Sequence, residues 1–176
     1  MADTLITDDM RSILGTTIET AVSYPVSASD IRKWAIAVYY PEPPPAIYTD
    51  EDDPATIALG GVVAPDEFNP FAWGAKQRDL AVVPEPGSDT GPGGSPELRA
   101  GVAAPAFSHV LNGGLEHRYT GVPIRPGDVI TSTSAIVDYK EREGRLGLML
   151  FTTMETRYVN QRGELVRTQR ITLIRY

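Results

Sequence analysis

The feature that most constrains the fold is a long alternating segment near the C-terminus, residues 146–159. Leucine recurs there at every second position, at Leu146, Leu148 and Leu150, and a period of two is typical of a β-strand that buries one face. At about 3.3 Å per residue its 14 residues extend over roughly 46 Å, about twice the length of a usual strand. A strand this long with one apolar face has to curve around a core.

Further strands are predicted on either side of this segment. Val129 to Val137 is a β-rich run that begins after a Pro-Gly-Asp turn, and the turn residues Asn160 to Gly163 lead into a last run over 165–176. Short connections of this kind join antiparallel neighbours. We therefore predict an α+β fold whose long antiparallel strands follow one another in the chain and bend around a central buried helix.

The candidate for that buried helix is the segment 65–75. Pro65 at its start is followed by two acidic residues, which is a favourable N-terminus, and Phe68 and Phe71 then lie at helical spacing. A short helix that is apolar nearly all round is a buried one. Pro70 is expected to kink or shorten it.

A second helix is predicted after Ser27. Ser27 and Asp30 have the spacing of a capping box. An apolar row follows at helical intervals and is expected to face the core: Ile31, Trp34, Ala35 and Val38. Pro41 ends this helix, because a proline disfavours the helical conformation in the residue before it. Weaker patterns indicate a short helix over 8–14 and a short strand over 23–26.

The chain is expected to be a single domain over residues 1–176, because its length lies within the usual range. Glycine and proline concentrate between residues 76 and 105, which we interpret as a surface loop inserted into this domain. The net charge of −7 argues against binding to nucleic acid or to a membrane surface. The absence of cysteine excludes disulfides and thiolate chemistry. With no bilayer-spanning apolar run and no signal-peptide pattern, we expect a cytoplasmic protein.

Five short runs are spread in order over most of the chain outside that loop: YPVSASDI at 24–31, GVVAP at 61–65, NGGLE at 112–116, PIRPGD at 123–128 and NQRGE at 160–164. Together they resemble the MaoC-like dehydratases, and in particular the branch formed by the N-terminal, FAS1-like dehydratase domain. The resemblance implies a hot-dog fold and the hydration or dehydration of acyl thioesters of coenzyme A or acyl carrier protein. The thioester is the substrate, and neither a separate cofactor nor a metal is implied.

The chain departs from this family at the loop that carries the catalytic pair. Active members have an Asp and a His five positions apart in a Gly-Asp-x-Asn-Pro-x-His loop, and the pair positions water and transfers the proton. Here the matching loop, residues 39–45, has Tyr40 in place of the Asp and contains no histidine. The resemblance therefore implies no catalytic residue in this chain. It implies instead a degenerate subunit beside a catalytic MaoC-like partner, in a heterodimer or a dimer of heterodimers, as in mycolic-acid elongation and steroid side-chain degradation.

The resemblance also implies where the acyl thioester binds. In active relatives, backbone donors at the start of the buried helix polarise the thioester carbonyl. Because Pro65 has no N–H, such donors would have to come from the residues after it. The predicted substrate-binding residues are Ala64, Asp66, Phe68, Asn69, Asn112 and Gly113. An ordinary buried helix with a good cap explains the run at 64–66 equally well, and Phe68 is better explained by core packing than as a pocket wall.

Four residues in and near these motifs have a simpler interpretation than catalysis. His109 and His117, the two histidines of the chain, are expected to be structural or surface residues rather than catalysts or metal ligands. Glu42 is better explained as a solvated or capping carboxylate than as a lone general base. Tyr40 is better explained as filling the vacated site than as a donor to substrate.

Two functions remain open at this point. One is the non-catalytic subunit of a heteromeric enoyl-thioester hydratase, which shapes the acyl pocket for its partner. The other is a non-catalytic acyl-thioester-binding or scaffolding homodimer. Weak hydration by this chain alone, through Glu42 or His117, is a minor third possibility.

Overall fold

The computed structural model describes residues 4–72 and 95–176. Its centre is a five-stranded antiparallel sheet with the strand order β1-β3-β4-β5-β2. The strands are β1 Thr17–Val22, β2 Val110–Tyr119, β3 Ile130–Gly144, β4 Gly147–Asn160 and β5 Leu165–Arg175. The helices are α1 Asp8–Ser12, α2 Ala28–Tyr39, α3 Pro54–Ala58 and α4 Pro96–Arg99, with a 3₁₀ turn at Ala46–Tyr48.

The predicted α+β class with long antiparallel strands is confirmed. The alternating segment forms β4, which has 14 residues, and its even-numbered side chains Leu150 and Met154 pack in the core. The prediction that the strands are consecutive in the sheet is wrong at both ends, because β1 lies beside β3 and β2 lies beside β5. The strand predicted over 23–26 is wrong, because β1 lies before this range and ends at Val22. Ser23 still bonds to the backbone of β3 at Ile130 through its N–H and its hydroxyl.

Helix α2 begins and ends where the sequence predicts. The Ser27 hydroxyl accepts a hydrogen bond from the Asp30 N–H at 3.0 Å and caps the helix, and the helix ends at Tyr39, two residues before Pro41. Ile31 and Ala35 are fully buried. The last member of the predicted apolar row, Val38, is half exposed, because the helix leaves the core before its final turn.

The helix predicted over 65–75 is wrong for residues 65–72, which form two turns, while residues 73–75 lie outside the described residues. The Asn69 side chain accepts a hydrogen bond from the Phe71 N–H at 3.0 Å, a local bond that competes with helical pairing. Pro70 lacks an N–H and disfavours the helical conformation of Asn69. The segment is still buried, because Phe68 packs edge-on against Trp34 with ring centroids 5.7 Å apart.

The core consists of two clusters on one side of the sheet. The first joins α2 and the 62–68 segment to the sheet and comprises Val26, Ile31, Val62, Ala64, Phe68, Ile124, Ile130 and Val166. The second joins α1 to β3 and β4 and comprises Ile6, Met10, Ile13, Ile136, Tyr139 and Leu150. Within the described residues, the long helix that packs on the sheet is therefore α2, and residues 65–72 form no helix.

Two of the motifs that carry the family resemblance bind each other. Asp128, which is buried, accepts a hydrogen bond from the Arg125 N–H at 2.9 Å. Its other oxygen accepts from Gln161 at 3.0 Å and from Arg162 at 2.8 Å. The Pro-Gly-Asp turn before β3 is thus tied to the β4–β5 turn, which explains why both motifs need these residue types.

Much of the predicted surface loop over 76–105 lies outside the described residues, which resume at residue 95. Residues 95–105 are only in part a surface loop. Pro96 and Glu97 of α4 are buried, and Val102 packs against the second core cluster. The physical reason is a buried ion pair between Glu97 and Arg175 of β5, which the sequence pattern does not reveal.

Candidate functional site

The candidate site lies where the 64–69 segment passes over the sheet beside the end of β2 and the start of β5. The Ala64 N–H donates to the Ile124 carbonyl at 2.8 Å and holds the segment against the chain before β3. Ala64 and Phe68 are buried, whereas Asp66 is exposed. The cleft beside Ala64 and Asp66 measures only about 20 Å³, so in this structure it has no room for an acyl group.

A larger pocket adjoins this cleft, and we call it the Arg167 pocket. It has a volume of about 230 Å³ and is lined by Glu67, Asn69, His117, Tyr119, Tyr158, Arg167 and Gln169. The strand register explains this set: His117 is paired with Gln169 and Tyr119 with Arg167 across β2 and β5. Because alternate residues of a strand share a face, these four side chains point to the same side of the sheet.

Arg167 is the most buried charge of this pocket, with 4% of its surface exposed. Its guanidinium lies over the Tyr158 ring, 4.4 Å from the centroid, and its Nη1 donates to the Asp66 carbonyl at 3.2 Å. Its Nε has no hydrogen-bond partner. Within residues 4–72 and 95–176 Arg167 forms no ion pair.

His117 lines the same pocket as this guanidinium and stacks on Tyr119, with ring centroids 5.9 Å apart and planes 11° from parallel. Its Nδ1 is buried without a hydrogen-bond partner. Burial and the positive charge of Arg167 lower the pKa of His117, and Glu67 opposes them only in part. The imidazole is therefore neutral at neutral pH. Burial and the Glu67 charge likewise raise the pKa of Tyr119, so its hydroxyl stays protonated.

We expect the pKa of His117 to respond in opposite directions to two substitutions. Arg167→Gln removes a repelling charge and should raise this pKa, whereas Glu67→Gln removes an attracting charge and should lower it further. Because folding lowers the pKa, the His117 contribution to stability is present above pH 6.5 and is lost as the pH falls below it.

NMR titration of the two histidines checks this. The resonances of His109, which stacks on Tyr176 at 5.1 Å, should not shift with either substitution. Equal pKa values of His117 in all three proteins would contradict the arrangement of charges described for the pocket.

Residues 12–169 match the family described as FAS1-like, dehydratase domain region. The chain belongs to this family. It is 31% identical over 153 residues to a probable enoyl-CoA hydratase alpha subunit of Thermomonospora curvata, a match that covers 86% of this chain and 45% of that protein. The FAS1-like domain of this chain thus spans less than half of that relative.

Solved structures share the fold of this FAS1-like dehydratase domain. The ChsH1-ChsH2 complex of Mycobacterium tuberculosis matches with a TM-score of 0.65 and 18% identity, over 97% of this chain and 90% of that one. The HadBC (3R-hydroxyacyl-ACP dehydratase) complex of the same organism matches with a TM-score of 0.53 and 20% identity, over 92% and 99%. These structures confirm the predicted hot-dog fold, and the family match over residues 12–169 confirms the predicted FAS1-like dehydratase branch.

The loop that matches the family's catalytic motif lies on the surface of this domain. Tyr40 is 80% exposed, so within this chain it fills no vacated site, contrary to our expectation. Glu42 is exposed as well, and its N–H donates to the Tyr39 carbonyl at 2.9 Å. The loop residues 39–45 contain neither an Asp nor a His. The pair that the resemblance assigns to active chains is therefore missing from this loop.

The structure brings together only some of the predicted substrate-binding residues. Asn69 lines the Arg167 pocket, and Ala64 and Asp66 line the adjoining cleft. Phe68 lies in the core beneath them. Asn112 and Gly113 lie near the other end of β2, about 20 Å along the strand from Tyr119 at ~3.3 Å per residue.

Gly113 has a structural reason to be glycine, because a Cβ there would lie 2.8 Å from Ile174 Cγ1. The Asn112 side chain accepts a hydrogen bond from the Gly114 N–H at 2.9 Å, where the β2–β5 register shifts. A substrate-binding role for these two residues stays a prediction, and the structure separates them from the other four.

Sequence reasoning missed Arg167, Gln169 and Tyr158. One signal was present: Arg167 and Gln169 occupy alternate positions of a predicted strand, where polar side chains can share one face. Among the described residues, no three His, Asp or Glu side chains are grouped closely enough to hold a metal ion. No helix in the same residues is both long and apolar enough to cross a membrane. The cytoplasmic location stays a prediction.

Proposed function

We propose that this chain is a subunit of a heteromeric (R)-specific enoyl-CoA hydratase or 3-hydroxyacyl-thioester dehydratase. In this proposal it shapes the acyl-binding pocket, and a MaoC-like partner supplies the catalytic Asp and His. The observation that carries the proposal is the surface loop 39–45. This loop matches the position of the family's catalytic loop but contains neither the Asp nor the His of the catalytic pair. The relative named an enoyl-CoA hydratase alpha subunit, and the two mycobacterial complexes that share the fold, support it.

The open edge of the sheet supports a partner. β2 is an edge strand, and unpaired backbone groups along such an edge are available to another strand. It also exposes large apolar side chains, each at least 40% accessible: Val110, Leu111, Leu115 and Tyr119. Since an edge of this kind is an aggregation hazard unless it is covered, we propose that the catalytic partner covers it.

The chemistry of the subunit follows from this division of labour. The partner's acid–base pair adds water across a 2-enoyl double bond or removes it from a 3-hydroxyacyl thioester. This chain contributes an apolar wall of the acyl-binding pocket and fixed backbone groups. It raises the rate of hydration or dehydration by positioning the acyl group. We propose a fatty acyl or steroid side-chain thioester of coenzyme A as the substrate.

The test is co-expression with a MaoC-like chain from the same genome, followed by crotonyl-CoA and longer enoyl-CoA hydration assays of the pair and of each chain alone. We expect activity in the pair and at least a tenfold lower rate in each separate chain. Replacing the partner's catalytic Asp by Asn should abolish the activity of the pair.

A variant of the β2 edge locates the contact. The double substitution Leu111→Lys and Leu115→Lys should weaken the complex about tenfold. A matched control is Ile57→Lys and Leu146→Lys, which alters two equally exposed apolar residues away from β2. Hydration by this chain alone, lost on His117→Ala, would overturn the proposed division of labour. A stable homodimer without affinity for any MaoC-like chain would favour the scaffolding function instead.

A further inference from the structure

Two arginines of β5 are equally buried but differ in their partners. Arg167 and Arg175 are each 4% exposed. The Arg175 guanidinium donates to both carboxylate oxygens of Glu97, at 2.8 and 2.5 Å, and to the Thr152 hydroxyl at 2.6 Å. Arg167 contacts one carbonyl and one aromatic face and, in the described residues, forms no hydrogen bond or ion pair with a carboxylate. Buried charges are normally paired, so Arg167 lacks the anion that its strand neighbour has.

Three of the free groups of the Arg167 pocket are hydrogen-bond donors. The Gln169 Oε1 accepts from the Tyr158 hydroxyl at 3.1 Å, which leaves the amide nitrogen of Gln169 as the group that can face the pocket. The Asn69 Oδ1 accepts from the Phe71 N–H at 3.0 Å, which leaves the amide nitrogen of Asn69 in the same position. With the Arg167 Nε, these nitrogens give three donors and leave one charge unmatched.

The guanidinium is also held in place before any ligand arrives. Its carbon Cζ lies 4.4 Å from the centroid of the Tyr158 ring, and the bond from Nη1 to the Asp66 carbonyl restrains its rotation. Its Nε is itself buried and has no hydrogen-bond partner, and a guanidinium restrained in this way suits bidentate recognition of a planar or tetrahedral oxyanion. The carboxylate on the lining is Glu67, which is exposed and lies at the rim.

We propose that the Arg167 pocket binds an oxyanion, either a carboxylate or a phosphate group, through Arg167, Gln169 and Asn69. A volume of about 230 Å³ accommodates a small acid or the charged end of a longer ligand. The carboxylate source is an organic acid or an acyl chain with an acidic terminus. The phosphate source is free phosphate or the phosphates of coenzyme A. This site requires no catalytic partner and no enoyl thioester, so its test is independent of the proposed function.

The experiment titrates this chain alone with succinate, inorganic phosphate or coenzyme A, at constant ionic strength set with chloride. The readouts are the NMR signals of the Arg167 Nε–H and of the His117 ring. We expect saturable shifts with a Kd of about 1 mM or lower for at least one probe. Preference for succinate identifies a carboxylate site, and preference for phosphate or coenzyme A identifies a phosphate site.

Three variants test the assignment. Arg167→Lys keeps the positive charge but replaces the planar guanidinium, which can donate two parallel hydrogen bonds, and it should weaken binding at least tenfold. Glu67→Gln removes the competing carboxylate and should tighten binding several-fold. The matched control is Arg170→Gln, which removes one charge from the opposite face of β5, where Arg170 pairs with Glu155 at 2.7 Å, and should leave Kd unchanged.

The absence of a saturable shift with all three probes up to about 10 mM would overturn the proposal. So would equal binding by the Arg167→Lys and Arg170→Gln proteins. If Arg167→Lys does not fold, the native chain and the Glu67→Gln protein still test the proposal. The proposal requires saturable binding by the native chain and tighter binding by the Glu67→Gln protein.

Discussion

Replacing Glu97 by Gln is expected to destabilise the domain by about 3–5 kcal/mol, because it leaves the Arg175 charge buried without a counter-ion. Glu97 is fully buried, and besides Arg175 it accepts a hydrogen bond from the Ser95 hydroxyl. Gln has nearly the same shape as Glu, so the loss of stability is due to the missing charge rather than to a cavity. Urea unfolding followed by circular dichroism measures it.

The same carboxylate makes the stability of the domain dependent on acid pH. Burial by itself raises the pKa of Glu97, but the hydrogen bonds from Arg175 and Ser95 outweigh it and hold this pKa below the usual 4.5. A carboxyl group whose pKa is lowered by folding contributes its full stabilisation at pH values above its pKa in the unfolded chain. We therefore expect the native domain to lose stability as the pH falls below 4.5, and the Glu97→Gln protein to lose less.

Two further proteins are controls for this prediction. Glu116→Gln removes a carboxylate whose ion pair with Arg118 is exposed, and it should leave the unfolding midpoint unchanged. The double substitution Glu97→Met and Arg175→Met removes both charges and should restore part of the loss. A Glu97→Gln midpoint equal to that of Glu116→Gln would contradict the buried pair.

The sequence predicts the parts of this fold that depend on local patterns. Strand β4 follows from two-residue alternation and α2 from its cap and its proline stop, and both occur where expected. The helix predicted over 65–75 fails because apolar spacing alone cannot distinguish a helix from buried turns. The Asn69 side chain and Pro70 decide the outcome, through a single local hydrogen bond and a missing donor.

The site depends on contacts that no local pattern contains. Arg167 and Glu67 are 100 positions apart in the chain, and they line the same pocket only because the turn at 65–69 lies over β5. Glu97 and Arg175 meet across 78 positions. The sequence shows that a polar side chain lies on a strand, but tertiary packing determines which residue it pairs with. The family resemblance predicts the fold and the missing catalytic pair, and it does not predict Arg167.

Replacing Phe68 by Ala is expected to cost about 3–5 kcal/mol of stability, as is usual when a buried aromatic side chain is removed. Phe68 is almost fully buried, packs against Trp34 and belongs to the cluster that joins α2 to the sheet. Its N–H also donates to the Pro65 carbonyl at 2.9 Å and closes the turn that presents Asp66. Phe71→Ala is the matched control, because Phe71 is only half-buried and packs on Tyr158 at 6.2 Å.

The position of the site should depend on the same side chain. The Asp66 carbonyl that orients Arg167 lies two residues before Phe68, so a cavity beneath the turn should loosen this contact and move the His117 resonances. The milder Phe68→Leu substitution, which should fold, tests this with NMR and urea unfolding together. We expect Phe68→Leu to shift His117 and to lower stability. Unchanged His117 resonances with a large loss of stability would show that β2 and β5 hold the pocket without the turn, and that Phe68 contributes to the core alone.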